Sequence, residues 1–232
     1  MAYKTIGILG GMGPLATADL YKKIVTLTDA QKDQEHIPTI IISNPHIPDR
    51  TAAIRGEGVS PLREMMRSST LLENAGADFI VIACNAAHHY YDELNRRTRV
   101  PVLNMIEIAA NAVRKLNVKK VALLATDGTI ESGIYSKYFN PLGIEIINPG
   151  KYRSVIMDLI YNDIKFGKEK TEAQVIRDVT DSLKGQGAEL FVLGCTELPI
   201  AFERHNIREN IIDPTTELAK RAILCAGGRI KS

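Results

Sequence analysis

The chain has 232 residues, enough to bury a substantial core in one large domain or two small ones. Apolar residues make up 45% and charged residues 24%, the mix of an ordinary globular protein. The net charge is +2, and the basic residues fall in scattered pairs such as Lys22-Lys23 and Arg96-Arg97, which argues against nucleic acid or an anionic membrane as a partner.

The opening stretch MAYKTIGILGG is too short and too rich in glycine for a signal peptide or a membrane span. It reads as a first strand, and the expected location is the cytoplasm. Helical periodicity follows from Pro14 to Thr28, then a second strand, PTIIISNP. Ser60 to Asn74 reads as a helix with Ser60 as N-cap, Pro61 at the first helical position and Gly76 closing it. ADFIVIACN is the next strand, and PVLNM, after another helix, a further one. Unbroken Ile/Val/Leu runs suit strands buried on both faces, hence a parallel sheet covered by helices.

The same order then returns. KKVALLATDGT resembles KTIGILGGMGP, and GAELFVLGCTELP resembles GADFIVIACNAAH. Lys119 stands 115 positions after Lys4, and Cys195 stands 111 after Cys84. Two pairs at nearly one spacing predict two similar α/β lobes related by a pseudo-twofold axis, with a ligand cleft between them. The expected divisions are residues 1–115, residues 116–213, and a C-terminal helix, 214–232, packing back on the first lobe.

Three cysteines at wide spacing make neither a disulfide framework nor a metal site, and no histidine spacing suits zinc. Ligands of parallel sheets bind beyond the carboxyl ends of the strands, and Cys84 and Cys195 each end a strand at equivalent points of the two halves. Asn85 and Thr196 follow them where a helix or turn starts, and backbone N–H groups there can bind a carboxylate and lower a thiol pKa. Two thiols approaching one point from opposite sides can take a proton from one face of a carbon and return one to the other. Cys225, with no such counterpart, reads as structural. Gly11 to Ala16 fits the dinucleotide pattern G-x-G-x-x-A, but the second strand ends in Ser43-Asn44-Pro45 rather than an acidic residue for the ribose. The glycines read instead as letting the backbone come close to a small substrate. His88 reads as a packing residue behind Cys84. Glu197 reads either as orienting the second site or as packing the turn before Pro199.

GGMGPLAT, SNP followed by DR, CNAAH, LLATDGTIESGIY, IKFGK and GCTELP together resemble the aspartate/glutamate racemase superfamily, in its aspartate racemase branch. The resemblance covers nearly the whole chain, in the same order. It implies a two-lobed enzyme that interconverts L- and D-aspartate, or glutamate, without pyridoxal phosphate or any other cofactor, commonly as a homodimer. It implies that Cys84 and Cys195 are the acid/base pair, with Cys195 acting on the L-enantiomer and Cys84 on the D-enantiomer. Asn85 and Thr196 correspond to residues that hold the α-carboxylate and amino group, and Thr126 to another lining that pocket. Met12 corresponds to the residue on the glycine loop, and Arg50 and Lys165 to the cations that read the distal carboxylate. One position departs: the usual Cys-Asn-Thr has Ala86 in place of threonine, which removes a hydroxyl beside the substrate. A non-catalytic binder of a small dicarboxylate and another cofactor-free isomerase or decarboxylase of the superfamily remain alternatives.

Overall fold

A computed structural model of the chain describes residues 3–168 and 171–231, so the outermost ends of the expected ranges 1–115 and 214–232 lie outside the described residues. The first lobe runs β1 (Ile6–Gly10), α1 (Pro14–Leu27), β2 (Thr39–Ser43), α2 (Arg50–Ile54), α3 (Leu62–Asn74), β3 (Phe79–Ile82), α4 (Tyr91–Arg97) and α5 (Met105–Lys115). The second runs β4 (Lys120–Leu124), α6 (Asp127–Glu131), α7 (Ile134–Phe139), β5 (Glu145–Ile147) and α8 (Arg153–Asp158), which continues as a π-helical stretch, Leu159–Lys165. It is completed by α9 (Ala173–Gly185), β6 (Leu190–Leu193), α10 (Leu198–Arg204) and β7 (Ile211–Ile212), and the chain ends in α11 (Pro214–Cys225).

Both sheets are wholly parallel and repeat one topology. The first is ordered β2-β1-β3 and the second β5-β4-β6-β7, so in each lobe the first strand lies between the next two. The alternation of side chains along a strand divides the core into layers. Ile6, Ile8 and Val81 face α1 and α11, while Leu9, Ile80 and Ile82 face α3. In the second lobe Phe191 and Leu193 face the π-helical stretch, α9 and α10, while Val121, Leu123 and Val192 face α5 and α7. Each such side chain, fully buried, contributes roughly 1.5–3 kcal/mol. Helix α5 therefore closes the core of the second sheet, and α11 packs between α1 and α5 on the first.

Several local expectations change. PVLNM is not a strand: Val102 makes one isolated parallel bridge to Ile80, because Pro101 has no N–H to donate and Asn104 already caps α5. Helix α3 begins at Leu62 with Pro61 as its cap residue, and the Ser60 hydroxyl accepts only a long bond of 3.4 Å from the Leu62 amide. Strand β2 is not buried on both faces: it is a sheet edge, and Ile41 is exposed. The short strands β5 and β7, which lack a long apolar run, escape a reading by periodicity.

Candidate active site

The first glycine loop is shaped by the protein's own packing rather than by approach to a ligand. Gly11 has φ +92°, and a Cβ there would lie 2.3 Å from the Asn44 backbone. A Cβ at Gly10 would meet the Thr17 side chain, whose hydroxyl accepts from the Gly11 amide at 2.8 Å. Farther along, Gly13 reaches across to the second lobe, where its nearest neighbour is Glu197 Oε1.

Strands β3 and β6 stop at Ile82 and Leu193, and each cysteine comes two residues later. The turns that follow carry both thiols into one narrow cleft. Its lining contains all eight residues singled out from the sequence: Met12, Arg50, Cys84, Asn85, Thr126, Lys165, Cys195 and Thr196. Ala86 lines it too, where a threonine would have added a hydroxyl. Cys84 and Cys195 are buried, and Cys225 lies half-buried against the α11 side of the first lobe.

The lobes are tied together around this cleft. The Tyr135 hydroxyl donates to Asn85 Oδ1 at 2.7 Å, and the Thr51 hydroxyl to that of Thr126 at 3.3 Å. Helices α2 and α6 come so close that a Cβ on Gly128 would sit 2.7 Å from Thr51 Cα. Burial pushes the Tyr135 phenol well above its ordinary pKa, with Cys195 and Asp213 adding to the shift, so its proton stays available to Asn85.

Arg50 is the most constrained cation in the cleft. Its Nη1 donates to the carbonyls of Ile47 and Pro48, and its Nη2 to that of Met12. Burial works against its charge, but the Cys84 sulfur and the Asp49 carboxylate more than offset that and raise its pKa. A guanidinium has five N–H donors, and three are committed to these carbonyls. The Nε–H is buried without a partner. Asn85 is in the same condition: Tyr135 holds its oxygen, and its Nδ2 is buried and unpartnered. An unsatisfied buried donor costs roughly 1–3 kcal/mol. Two of them beside one cleft mark where a ligand's acceptors belong.

Lys165 ends the π-helical stretch and lies 4.0 Å from Glu197 Oε1, with its ammonium 4.3 Å above the Tyr161 ring. Burial lowers its pKa, and Glu197, Cys195, Tyr161 and Cys84 together more than restore it, so it remains a cation. Glu197 Oε2 accepts from Cys195 Sγ at 3.0 Å and from the Thr196 hydroxyl at 3.1 Å. Burial first, and then the Glu197 charge, push the Cys195 thiol well above its ordinary range, with Lys165 opposing.

Two positions differ from what their residue types suggest. The Thr126 hydroxyl caps α6, bonding to the Thr129 amide and hydroxyl, so it is already engaged within the protein. His88 lies behind the cleft: Nδ1–H donates to the Cys84 carbonyl at 2.8 Å and Nε2 accepts from the Met105 amide at 3.1 Å. Complete burial lowers its pKa to about 4, so the imidazole is neutral. Tyr161, which also lines the cleft, carried no motif in the sequence, and Asp49 stood in the DR pair without a role assigned to it. The one available signal was position, since Tyr161 stands a helical turn before Lys165 and Asp49 next to Arg50. Among the described residues no cluster of metal-ligating side chains occurs, and no helix is long and apolar enough to cross a membrane.

Two parallel α/β lobes with a polar, thiol-bearing cleft at their strand ends define a two-lobed enzyme architecture, and comparison with known proteins places it. The profile of the Asp/Glu/Hydantoin racemase family matches residues 9–222, and the chain belongs to that family of amino-acid racemases. An aspartate racemase of Picrophilus torridus superposes with a TM-score of 0.88 at 33% identity, covering 98% of this chain and 96% of that one. An aspartate racemase homologue from Pyrococcus horikoshii gives 0.77 at 26% identity, covering 97% and 99%. In sequence, the broad specificity amino-acid racemase RacX of Bacillus subtilis is 29% identical over 224 residues, 94% of this chain and 96% of its own.

Proposed function

We propose that this enzyme racemises aspartate, with glutamate as a second substrate, by proton transfer at Cα between Cys84 and Cys195 and without a cofactor. The observation that carries the reading is the pair of buried, unpartnered donors, Asn85 Nδ2 and Arg50 Nε, on the cleft that holds both thiols. An amino acid with two carboxylates satisfies both.

In this reading Asn85, held by Tyr135, takes the α-carboxylate, and Thr196 supports the amino group from the opposite lobe. Thr126 shapes that wall through the helix it caps, and Met12 covers the substrate from the glycine loop. Arg50 offers its unpartnered Nε–H to the side-chain carboxylate, and Lys165 supplies a second positive charge. Neutralising the carboxylates and excluding water lowers the cost of negative charge at Cα, which is what a thiolate base needs to remove so weak an acid. One cysteine takes the α-proton and the other delivers a proton to the opposite face, so the configuration inverts. By the family resemblance, Cys195 serves the L-enantiomer and Cys84 the D-enantiomer. The family also leads us to place the enzyme in the cytoplasm as a homodimer, which sedimentation of the purified protein checks.

Ala86 and the relative of broad specificity favour one further reading, a substrate range that extends to neutral amino acids. Incubation with L-aspartate in deuterated water tests the main proposal. Racemisation puts deuterium at Cα and removes optical rotation. A binding protein exchanges nothing, and a decarboxylase releases carbon dioxide. Running D- and L-aspartate, glutamate, asparagine and alanine side by side settles the range, and a neutral amino acid turning over best would overturn the acidic assignment.

A further inference from the structure

The two thiols sit in opposite electrostatic settings. The Cys195 sulfur donates to a carboxylate, Glu197 Oε2, at 3.0 Å. That carboxylate is buried, takes a second bond from the Thr196 hydroxyl, and is fixed between the Gly13 loop and Lys165. The Cys84 sulfur instead faces the Arg50 guanidinium, itself held by three backbone carbonyls. The Lys165 charge acts on both sulfurs. The remaining titratable groups near Cys195 are the phenols of Tyr135 on α7 and Tyr161 on the π-helical stretch. Beside Cys84 there is His88, which bonds to the backbone carbonyl.

We propose that Glu197 is a positioning residue that keeps Cys195 as the protonated partner in the resting enzyme, so that the pair begins a turnover with Cys84 as base and Cys195 as acid. The inference rests on the racemase reading. A negative charge in hydrogen-bond contact opposes a thiolate, and the S–H···O bond exists only while the thiol keeps its proton. In the turnover this sets up, the Cα–H bond breaks and its proton goes to Cys84 Sγ. The S–H bond of Cys195 breaks as its proton forms the new Cα–H on the other face. The pair is then inverted, with thiolate beside Glu197, and returns to rest by losing the Cys84 proton to solvent and regaining one at Cys195. Burial raises the Cys195 pKa most, and Glu197 is the next cause, the one a single substitution removes.

Enantiomers have equal free energies, so kcat/KM is the same in both directions whichever thiol starts protonated. The protonation state has to be read from the thiols themselves. Only the thiolate reacts with iodoacetamide, so the labelling rate of each cysteine, resolved by peptide mass across pH, reports its ionisation. The wild-type protein is expected to label Cys195 slowly, with a rate still rising above about pH 9, beyond the ordinary thiol range. Glu197→Gln keeps an acceptor without the charge. It is expected to speed Cys195 labelling at about pH 7.5 by roughly tenfold, the ratio of one pKa unit, and to leave Cys84 within about twofold. Glu197→Asp, which restores the charge, should bring the slow rate back. An unchanged Cys195 profile in Glu197→Gln, or an equal rise at both cysteines, overturns the proposal. If that variant does not fold, the wild-type profile decides: a Cys195 midpoint in the ordinary thiol range overturns it. Labelling needs no substrate, so failure to racemise aspartate would sink the functional reading and leave this measurement standing.

Discussion

In the first lobe the turn after β3 is braced from beneath: a neutral His88 clamps the Cys84 carbonyl and ties it to the start of α5, and the sulfur faces a cation. In the second lobe the turn after β6 is braced at the reacting atom, where Glu197 accepts a bond from the Cys195 sulfur. The scaffolds match in strand order and in the two-residue step from strand end to cysteine. A repeated fold thus determines where a side chain arrives. The charge it meets there comes from positions at which the halves differ: Glu197 stands where the first half has Ala86. The lesson is that geometric symmetry between two lobes and electrostatic asymmetry at their strand ends coexist.

The most severe way to break the comparison is to remove either sulfur. Cys84→Ser and Cys195→Ser are each expected to lower racemisation by about a thousandfold or more, because an alcohol is a far weaker acid–base partner than a thiol. Either variant retaining near-normal turnover in both directions would mean that the lobes do not act as a pair.

The brace beneath Cys84 carries a pH signature. His88 has a folded pKa of about 4 against an ordinary 6.5, so the unfolded chain takes up a proton that the folded protein refuses. Its contribution to stability is therefore whole above about pH 6.5 and drains away as the pH falls toward 4, by roughly 3 kcal/mol in all. Urea unfolding of wild type and His88→Gln at a series of pH values should show the gap between them shrinking by about that amount. A gap independent of pH would show that the imidazole is not held neutral.

Arg50 sharpens the contrast from the substrate side. Arg50→Met is expected to cost aspartate on the order of a hundredfold in kcat/KM, the effect of leaving a buried carboxylate without its charged partner, and to change alanine little. Equal losses on both substrates would move Arg50 from recognising the side chain to supporting the cleft. The smallest effect is expected at the link between lobes. Tyr135→Phe frees the Asn85 amide to rotate, and a rise in KM of about two- to tenfold corresponds to one hydrogen bond. No change in KM would mean that Asn85 is oriented by something else.

Much of this site was legible in the chain because apolar runs and their repeat carry over directly into strands and their ends. Cys84, Asn85, Cys195 and Thr196 follow such runs, so the topology of parallel sheets locates them. Arg50 and Lys165 do not: Arg50 opens a short helix after a loop and Lys165 closes a π-helical turn, and only family resemblance singled them out. PVLNM misled because its pairing with β3 stops at one bridge: Pro101 has no amide, the Val102 amide goes to Asn95, and Asn104 caps α5.

What the sequence determined by itself was the two-lobed parallel α/β plan and the equivalence of the two cysteines, which rest on order and periodicity along one dimension, and the family, which rests on the resemblance of its motifs. Only the tertiary structure decided that Glu197 bonds to the Cys195 sulfur, that Tyr135 holds Asn85 from 50 positions away, and that Arg50 is held by three carbonyls with its Nε–H left unpartnered. The bonds from Tyr135 to Asn85 and from Arg50 to Met12 join residues 50 and 38 positions apart, and even the Cys195–Glu197 contact, two positions apart, depends on side-chain geometry that order along the chain does not fix.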